Sequence, residues 1–231
     1  MSPQIVTREK WIEARKAHLE DEKAFTKARD ALSARRRALP WVRVETDYQF
    51  QGVEGPRSLG DLFGPRSQLI VQHFMYGEDW EAGCTSCSFW TDGFDPLADH
   101  LAARDTALVM ISNASIEKIE AYRTRMGWTL PWVSSVGTTF NRDFEVTFTP
   151  DEMADGTGTY NYETRGFPAT EAPGISVFHK TDDGIFHTYS TYARGLDMLN
   201  AAYHLMDLLP KGRDEGDGIM RWLRRHDEYE S

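Results

Sequence analysis

Cysteine is almost missing from this chain, with two residues in 231. So few in a chain of this length excludes a disulfide framework. Long apolar runs are missing too. The longest are short, such as Ala107 to Ile111, whereas a membrane-spanning helix needs about 20 apolar residues. The N-terminus is charged and has no apolar stretch of the kind that opens a secretory signal, so a cytoplasmic location is expected. There is no internal repeat and no low-complexity tract. Positive charge is in short supply: 26 Lys and Arg against 36 Asp and Glu leave a net charge of −10. The deficit is uneven, since residues 1–40 carry 10 basic and 6 acidic side chains and the remainder is net −14. An acidic body repels nucleic acid. The basic arm reads as a solvated helix face rather than a nucleic-acid or membrane arm.

What is present suffices for a core. Residues of the A, V, I, L, M, F, W, Y, C set make up 40% of the chain, which excludes wholesale disorder. The length lies between one and two domains at about 150 residues each. Three segments are read: an N-terminal helical arm over 1–40, a main domain over 41–210 and a charged tail over 211–231. Thr7 is an N-cap with Glu9 in the first turn, and helix-forming residues run to Leu39, where Pro40 stops them. Ile12 and Leu19 lie on one side, but Phe25, Ala28 and Leu32 lie nearly opposite. Either the helix breaks or its faces have different neighbours. A homodimer through this helix and packing on its own domain both remain open.

Residues 42–50 alternate strictly and predict one half-buried strand. Gly52, Gly55 and Pro56 make a turn, and 58–63 form a short element. From Ser67 onwards strands and helices alternate. Gln68 to Met75 is a mostly apolar strand. Cys87, Trp90, Phe94, Leu97 and Leu101 then recur as one buried helical stripe, with a kink or an Asp95-capped restart expected at Gly93 and Pro96. Thr106 to Ser112 is a second buried strand, and Ser115 caps a helix closed by Gly127. Pro131 to Ser135 is extended, and 137–146 hold one short helix. Residues 149–170 read as a long loop or insertion with Tyr160, Tyr162 and Phe167 embedded. After Pro173, strands over 175–179 and 185–191 flank Asp182-Asp183-Gly184, a hairpin signal. A helix over 196–209 ends at Pro210. The tail has one amphipathic stretch with Ile219, Trp222 and Leu223.

The two cysteines stand as Cys84-Thr85-Ser86-Cys87 at the start of the apolar stripe. One isolated C-x-x-C cannot close a four-ligand zinc site, and without an export signal the spacing reads first as a redox dithiol. Only a thiolate attacks a disulfide. At a helix N-terminus, unpaired N–H groups and the helix dipole favour the anion. Cys84, nearer the loop, is expected to be the exposed nucleophile with the lower pKa. Cys87, inside the stripe, is expected to resolve the mixed disulfide. The competing reading is a pair of buried, inert thiols.

The order of strand, dithiol, helix, strand, helix, proline-led hairpin and last helix resembles the thioredoxin fold over roughly residues 67–209. That resemblance implies an α/β fold, a central mixed sheet flanked by helices, here with an N-terminal helix-and-strand extension. It implies that Pro173 is a cis proline facing the dithiol, that Ala172 contacts substrate, and that Thr85 and Ser86 do so between the cysteines. His73-Phe74-Met75-Tyr76-Gly77, Gly83 to Trp90, Trp132 to Ser135, His187 to Asp197 and Pro210 to Glu215 further resemble a bacterial thioredoxin-like family. It is catalogued as a domain of unknown function, and its members are often labelled dithiol–disulfide oxidoreductases. The implied partners are a protein or small-molecule disulfide and an upstream reductant, with no cofactor and no metal.

Several residues depart from the thioredoxin pattern. Thr85-Ser86 replaces Gly-Pro, and Gly83 stands where a Trp precedes the dithiol. His73 lies near the place of a buried acid that relays protons in thioredoxins. A His could serve there, or it could be a hydrogen-bonded core histidine. His187, with Tyr189, Tyr192 and Arg194, reads as structural packing. Glu78, Asp79 and Glu81 before the dithiol would raise the Cys84 pKa if close to it, opposing the helix. A peroxiredoxin-like thiol peroxidase is one alternative, although Gly77 and Glu81 occupy its Pro and Thr positions. A Cys/His metal-binding protein is another. The insertion 149–170 leads into Pro173, so it is expected either to cover part of the site or to be pinned to a neighbouring surface.

Overall fold

The computed structural model describes residues 4–216 and 218–230. The chain forms two compact units, Met1–Pro40 and Trp41–Ser231. The first is one unbroken helix, α1 (Arg8–Arg37). Thr7 Oγ1 accepts the Lys10 N–H, Glu9 sits in the first turn and Arg35 to Arg37 in the last, each matching the helix dipole. The apolar residues change sides without breaking the helix. No helix among the described residues is long and apolar enough to cross a membrane.

In the second unit, β1 (Val42–Arg43), β2 (Gln49–Gly52) and β3 (Gly55–Ser58) precede β4 (Gln68–His73). Then follow α2 (Thr85–Phe94), α3 (Ala98–Ala102), β5 (Thr106–Ser112), α4 (Ile116–Met126), β6 (Trp132–Ser134) and α5 (Phe140–Asp143). The chain continues through α6 (Pro150–Asp155), β7 (Thr159–Tyr160), β8 (Glu163–Thr164), β9 (Gly174–Thr181), β10 (Gly184–Tyr192) and α7 (Ala201–Met206). The main sheet runs β1-β10-β9-β4-β5-β6-β2-β3. β4 is parallel to β5 and β5 to β6, while β9 is antiparallel to both β4 and β10. The block β10-β9-β4-β5, with its third strand in chain order reversed, is the thioredoxin arrangement.

Alternation along β4 sorts its side chains between two cores. Leu69 and Val71 join Phe140, Phe144 and Phe178 on one face. Ile70 lies with Phe74, Cys87, Trp90, Ile119 and Tyr122 on the other, under α2 and α4. Gln72 ties α2 to β4, donating from Nε2 to the Cys87 carbonyl (3.3 Å) and accepting the Thr91 hydroxyl (3.1 Å).

Several expectations need correction. The single strand over 42–50 is two strands at different places in one sheet. β1 pairs with β10, and β2 pairs with β3 and β6. The intervening chain crosses one face and buries Tyr48. Asp95 does not cap the restart after α2. Its carboxylate accepts the N–H groups of Thr129 and Leu130 instead, each at 2.8 Å. The expected helix over 196–209 is a 3-10 stretch, Ala193–Leu199, followed by α7, whose N-cap Asn200 accepts the Tyr203 N–H at 2.9 Å. The insertion is ordered by local chemistry. A capping box joins Thr149 and Glu152, and Asn161 and Tyr162 take positive φ in the two-residue turn between β7 and β8. In the C-terminal segment Leu223 is buried, and Met220 and Trp222 pack against the α2 core.

Candidate functional site

Leaving β4, the chain loops back so that the Cys84 N–H donates to the Met75 carbonyl at 3.1 Å. Cys84 is itself the N-cap of α2, and its Sγ accepts the Cys87 N–H at 3.4 Å. Cysteine therefore occupies the position where Ser or Asp usually satisfies an orphan donor. The loop is held from three sides. Lys118 Nζ donates to the carbonyls of Glu78 and Trp80. Arg225 donates to the Gly83 carbonyl (2.8 Å) and to the Tyr122 hydroxyl (2.6 Å). Ser88 Oγ donates to the Cys84 carbonyl at 2.9 Å. Gly83 lies so close to two rings that a Cβ there would sit 2.8 Å from Phe74 and 2.9 Å from Tyr122.

Both thiols are free. Cys84 is partly exposed and Cys87 is buried, its sulfur accepting the Met75 N–H at 3.5 Å. Hydrogen bonding from the Cys87 thiol, aided by the Cys87 N–H and Ser86, outweighs desolvation and lowers the Cys84 pKa to about 6. Burial, then the bond to Cys84 and its negative charge, push Cys87 well above the ordinary thiol range. A thiol with pKa near 6 is about nine-tenths ionised at pH 7.

Both cysteines line a cavity of about 380 Å³. Ser86, Pro173 and Gly174 line it as well, and Tyr160 and Phe167 reach it from the insertion. Ile219 and Met220 reach it from the C-terminal segment. A larger cavity of about 620 Å³ lies between Arg57, Leu62, Arg123 and Trp132 and contains neither cysteine. The two thiols, not size, make the smaller one the candidate site.

The expected cis proline is not found. No cis peptide bond occurs among the described residues, so Ala172–Pro173 is trans. The preceding chain runs extended beside 146–148, with Phe148 N–H donating to Thr170 O and Ala172 N–H to Val146 O, both at 2.8 Å. A trans peptide continues that straight path into β9. Ala172 is buried, lies outside the cavity lining and has its N–H engaged, which leaves contact with a bound molecule to Pro173 and Gly174. Thr85 is half-buried and also outside the lining. Tyr162 points away, donating its hydroxyl to the Ser190 carbonyl at 3.1 Å.

His73 borders the cavity, but its ring stacks near Phe140 and Phe144, across the sheet from Cys87. Its Nε2 begins a chain of four groups, three buried and the last, His187, half-buried. His73 meets Ser176 Oγ, Ser176 meets Ser190 Oγ, and Ser190 meets His187 Nε2, each at 2.7 Å. Desolvation, and then the neighbouring His187, lower the His73 pKa to about 3, so the ring is neutral at physiological pH. Sequence reading missed Ser176 and Ser190, although small polar residues inside apolar strands are a usable signal. It also missed Glu171, a buried carboxylate accepting from Thr147 (2.7 Å), Asn113 (3.1 Å) and Asn141 (3.1 Å). Burial raises its pKa to about 7 despite those bonds. No group of three or more His, Cys, Asp or Glu among the described residues could hold a metal ion.

Three solved structures similar to this chain come from bacteria. Peroxidoxin BcpB of Mycobacterium tuberculosis is 15% identical with a TM-score of 0.48, covering 73% of this chain and 97% of that one. The bacterioferritin comigratory protein of Xanthomonas campestris is 12% identical with a TM-score of 0.47, covering 72% and 94%. PrxQ of Xylella fastidiosa is 13% identical with a TM-score of 0.45, covering 71% and 95%. No curated protein matches the chain. The family model described as "Bacterial protein of unknown function (DUF899)" matches residues 1–229, and the chain belongs to that family.

Proposed function

We propose that this chain is a thiol–disulfide oxidoreductase in which Cys84 attacks and Cys87 resolves. One observation carries the reading: Cys84 is partly exposed, lines the cavity and caps α2, and its sulfur takes hydrogen bonds from both the N–H and the thiol of the buried Cys87. The Cys84 thiolate attacks one sulfur of a substrate disulfide. A mixed disulfide forms and the first substrate thiolate leaves. Cys87 then loses its proton to solvent or to that departing thiolate and attacks Cys84 Sγ. The Cys84–Cys87 disulfide forms, the second substrate thiolate leaves, and the substrate has gained two electrons. An upstream dithiol reductant restores the starting state. A cytoplasmic setting, where thiols are kept reduced, suits this cycle.

Offering the reduced protein a small disulfide or hydrogen peroxide tests the reading. The wild type is expected to reduce the disulfide, Cys84→Ser to lose that reaction, and Cys87→Ser to stop after one exchange. Disulfide reduction by Cys84→Ser at the wild-type rate overturns the assignment. Peroxide consumption much faster than disulfide reduction turns it towards a thiol peroxidase.

A further inference from the structure

We propose that the cavity beside Cys84 selects small disulfides with an anionic group on an apolar body, and that Arg165 and Arg194 recognise the anion. This rests on the dithiol reading above and names its substrate class. Size comes first. An extended protein segment docks by pairing its backbone with free N–H and C=O groups of its host. Here the two positions leading into β9 offer no donor, because Pro173 has no N–H and that of Ala172 is bound to Val146 O. The cavity, at about 380 Å³, falls in the usual range for small-molecule sites. Its walls close from both sides of the dithiol, with Tyr160 and Phe167 from the insertion and Ile219 and Met220 from the C-terminal segment.

Charge comes second. On a chain of net charge −10, the charged side chains reaching this cavity are Arg165, Arg194 and Asp197. Arg165 is exposed and has no ion-pair partner among the described residues. Arg194 is 69% exposed and reaches one oxygen of Asp197 at 3.3 Å. That carboxylate is already gripped by Arg213 through both oxygens, at 2.6 and 3.0 Å. Two arginines and one carboxylate thus line the cavity, and that carboxylate is shared with Arg213, which leaves the lining with an excess of positive charge. The chemistry calls for such groups. The attacking Cys84 is an anion, so an anionic disulfide is repelled on approach and again as its thiolate leaves. Two guanidinium groups at the rim relieve both repulsions.

Reduced protein mixed in a stopped-flow instrument with two aromatic disulfides, one anionic and one neutral, tests this, because their difference in size is common to wild type and variant. Dithiobis(nitrobenzoate) carries carboxylates and dithiodipyridine is neutral at pH 7. The rate of the first is divided by the rate of the second for the wild type and for the double variant Arg165→Gln, Arg194→Gln. Removing two rim charges is expected to lower that ratio roughly five- to tenfold at low salt. Added salt should compress the wild-type ratio towards that of the variant. A ratio that stays the same in the variant while both probes are reduced overturns the anion inference and leaves the dithiol reading standing. Insulin disulfides reduced as fast as the small probes overturn the size argument. If neither small probe reacts, the dithiol reading itself falls, and this inference with it.

Discussion

Replacing Cys87 with Ala removes the thiol that donates to Cys84 but keeps the backbone N–H that caps it at 3.4 Å. A hydrogen bond to a charged acceptor contributes about 1.5–3 kcal/mol. At about 1.4 kcal/mol per pKa unit, its loss raises the Cys84 pKa by about one to two units. The midpoint of ionisation should then move from about 6 to about 7–8. At pH 5 the thiolate fraction falls about tenfold per unit, offset about threefold by the greater nucleophilicity of a more basic thiolate, so alkylation of Cys84 slows roughly three- to tenfold. Above pH 9 the order reverses, because a more basic thiolate is the better nucleophile, and the variant reacts about threefold or more faster. The two rate profiles therefore cross. Iodoacetamide labelling followed by mass spectrometry between pH 4.5 and 10 records both limbs. Cys87→Ser keeps a donor and should stay near the wild-type midpoint. A wild-type midpoint near that of an ordinary thiol refutes the electrostatic account of the site. A Cys87→Ala midpoint that does not move assigns the whole effect to backbone N–H groups and the helix dipole.

Gly83→Ala should destabilise the protein by about 1–3 kcal/mol, because the new Cβ meets Phe74 at 2.8 Å and Tyr122 at 2.9 Å in a packed aromatic core. Gly93→Ala, in α2 with nothing within 4 Å of its Cβ, should be neutral or stabilising, and urea midpoints of the pair separate crowding from any general effect of added methyl groups. Glu171 titrates near 7 when folded and near 4.5 in its unperturbed state. A raised carboxyl pKa favours the folded state below pH 4.5, and that contribution is lost as pH rises through 7. Glu171→Gln is free of this loss, so its stability relative to wild type should climb by up to about 3 kcal/mol between pH 4.5 and 8. A pH-independent gap in urea unfolding would show that the carboxylate is not desolvated.

Much of the sheet was legible because its signals are local. Apolar runs mark β4 and β5, and Asp182-Asp183-Gly184 marks the β9–β10 turn. The four-residue dithiol segment at the head of an apolar stripe marks the start of α2, with Cys84 where a cap belongs. What stayed hidden depends on partners distant in sequence. Alternation over 42–50 shows which side chains share a face, but not that Val42 pairs with His187 while Gln51 pairs with Ser134. The isomer of Ala172–Pro173 is separated from its alternative by about 0.5–1 kcal/mol, so tertiary pairing with 146–148 decides it. Arg165 reaches the cavity because a hairpin and its following loop land beside the dithiol, and no periodicity carries that information. Arg225 meets Gly83 across 142 positions of sequence for the same reason.

The central claim is that Cys84 exchanges with a disulfide and Cys87 completes the reaction. Intact-mass spectrometry of reduced protein mixed with one equivalent of dithiobis(nitrobenzoate) tests it most directly. Wild type should lose two hydrogens, release two thiolates per chain and retain no adduct. Cys87→Ser should hold one stable mixed disulfide, mapped to Cys84, and Cys84→Ser should react far more slowly through the buried Cys87. Preferential labelling of Cys87, or a wild-type chain that keeps an adduct without forming the Cys84–Cys87 bond, would contradict the account.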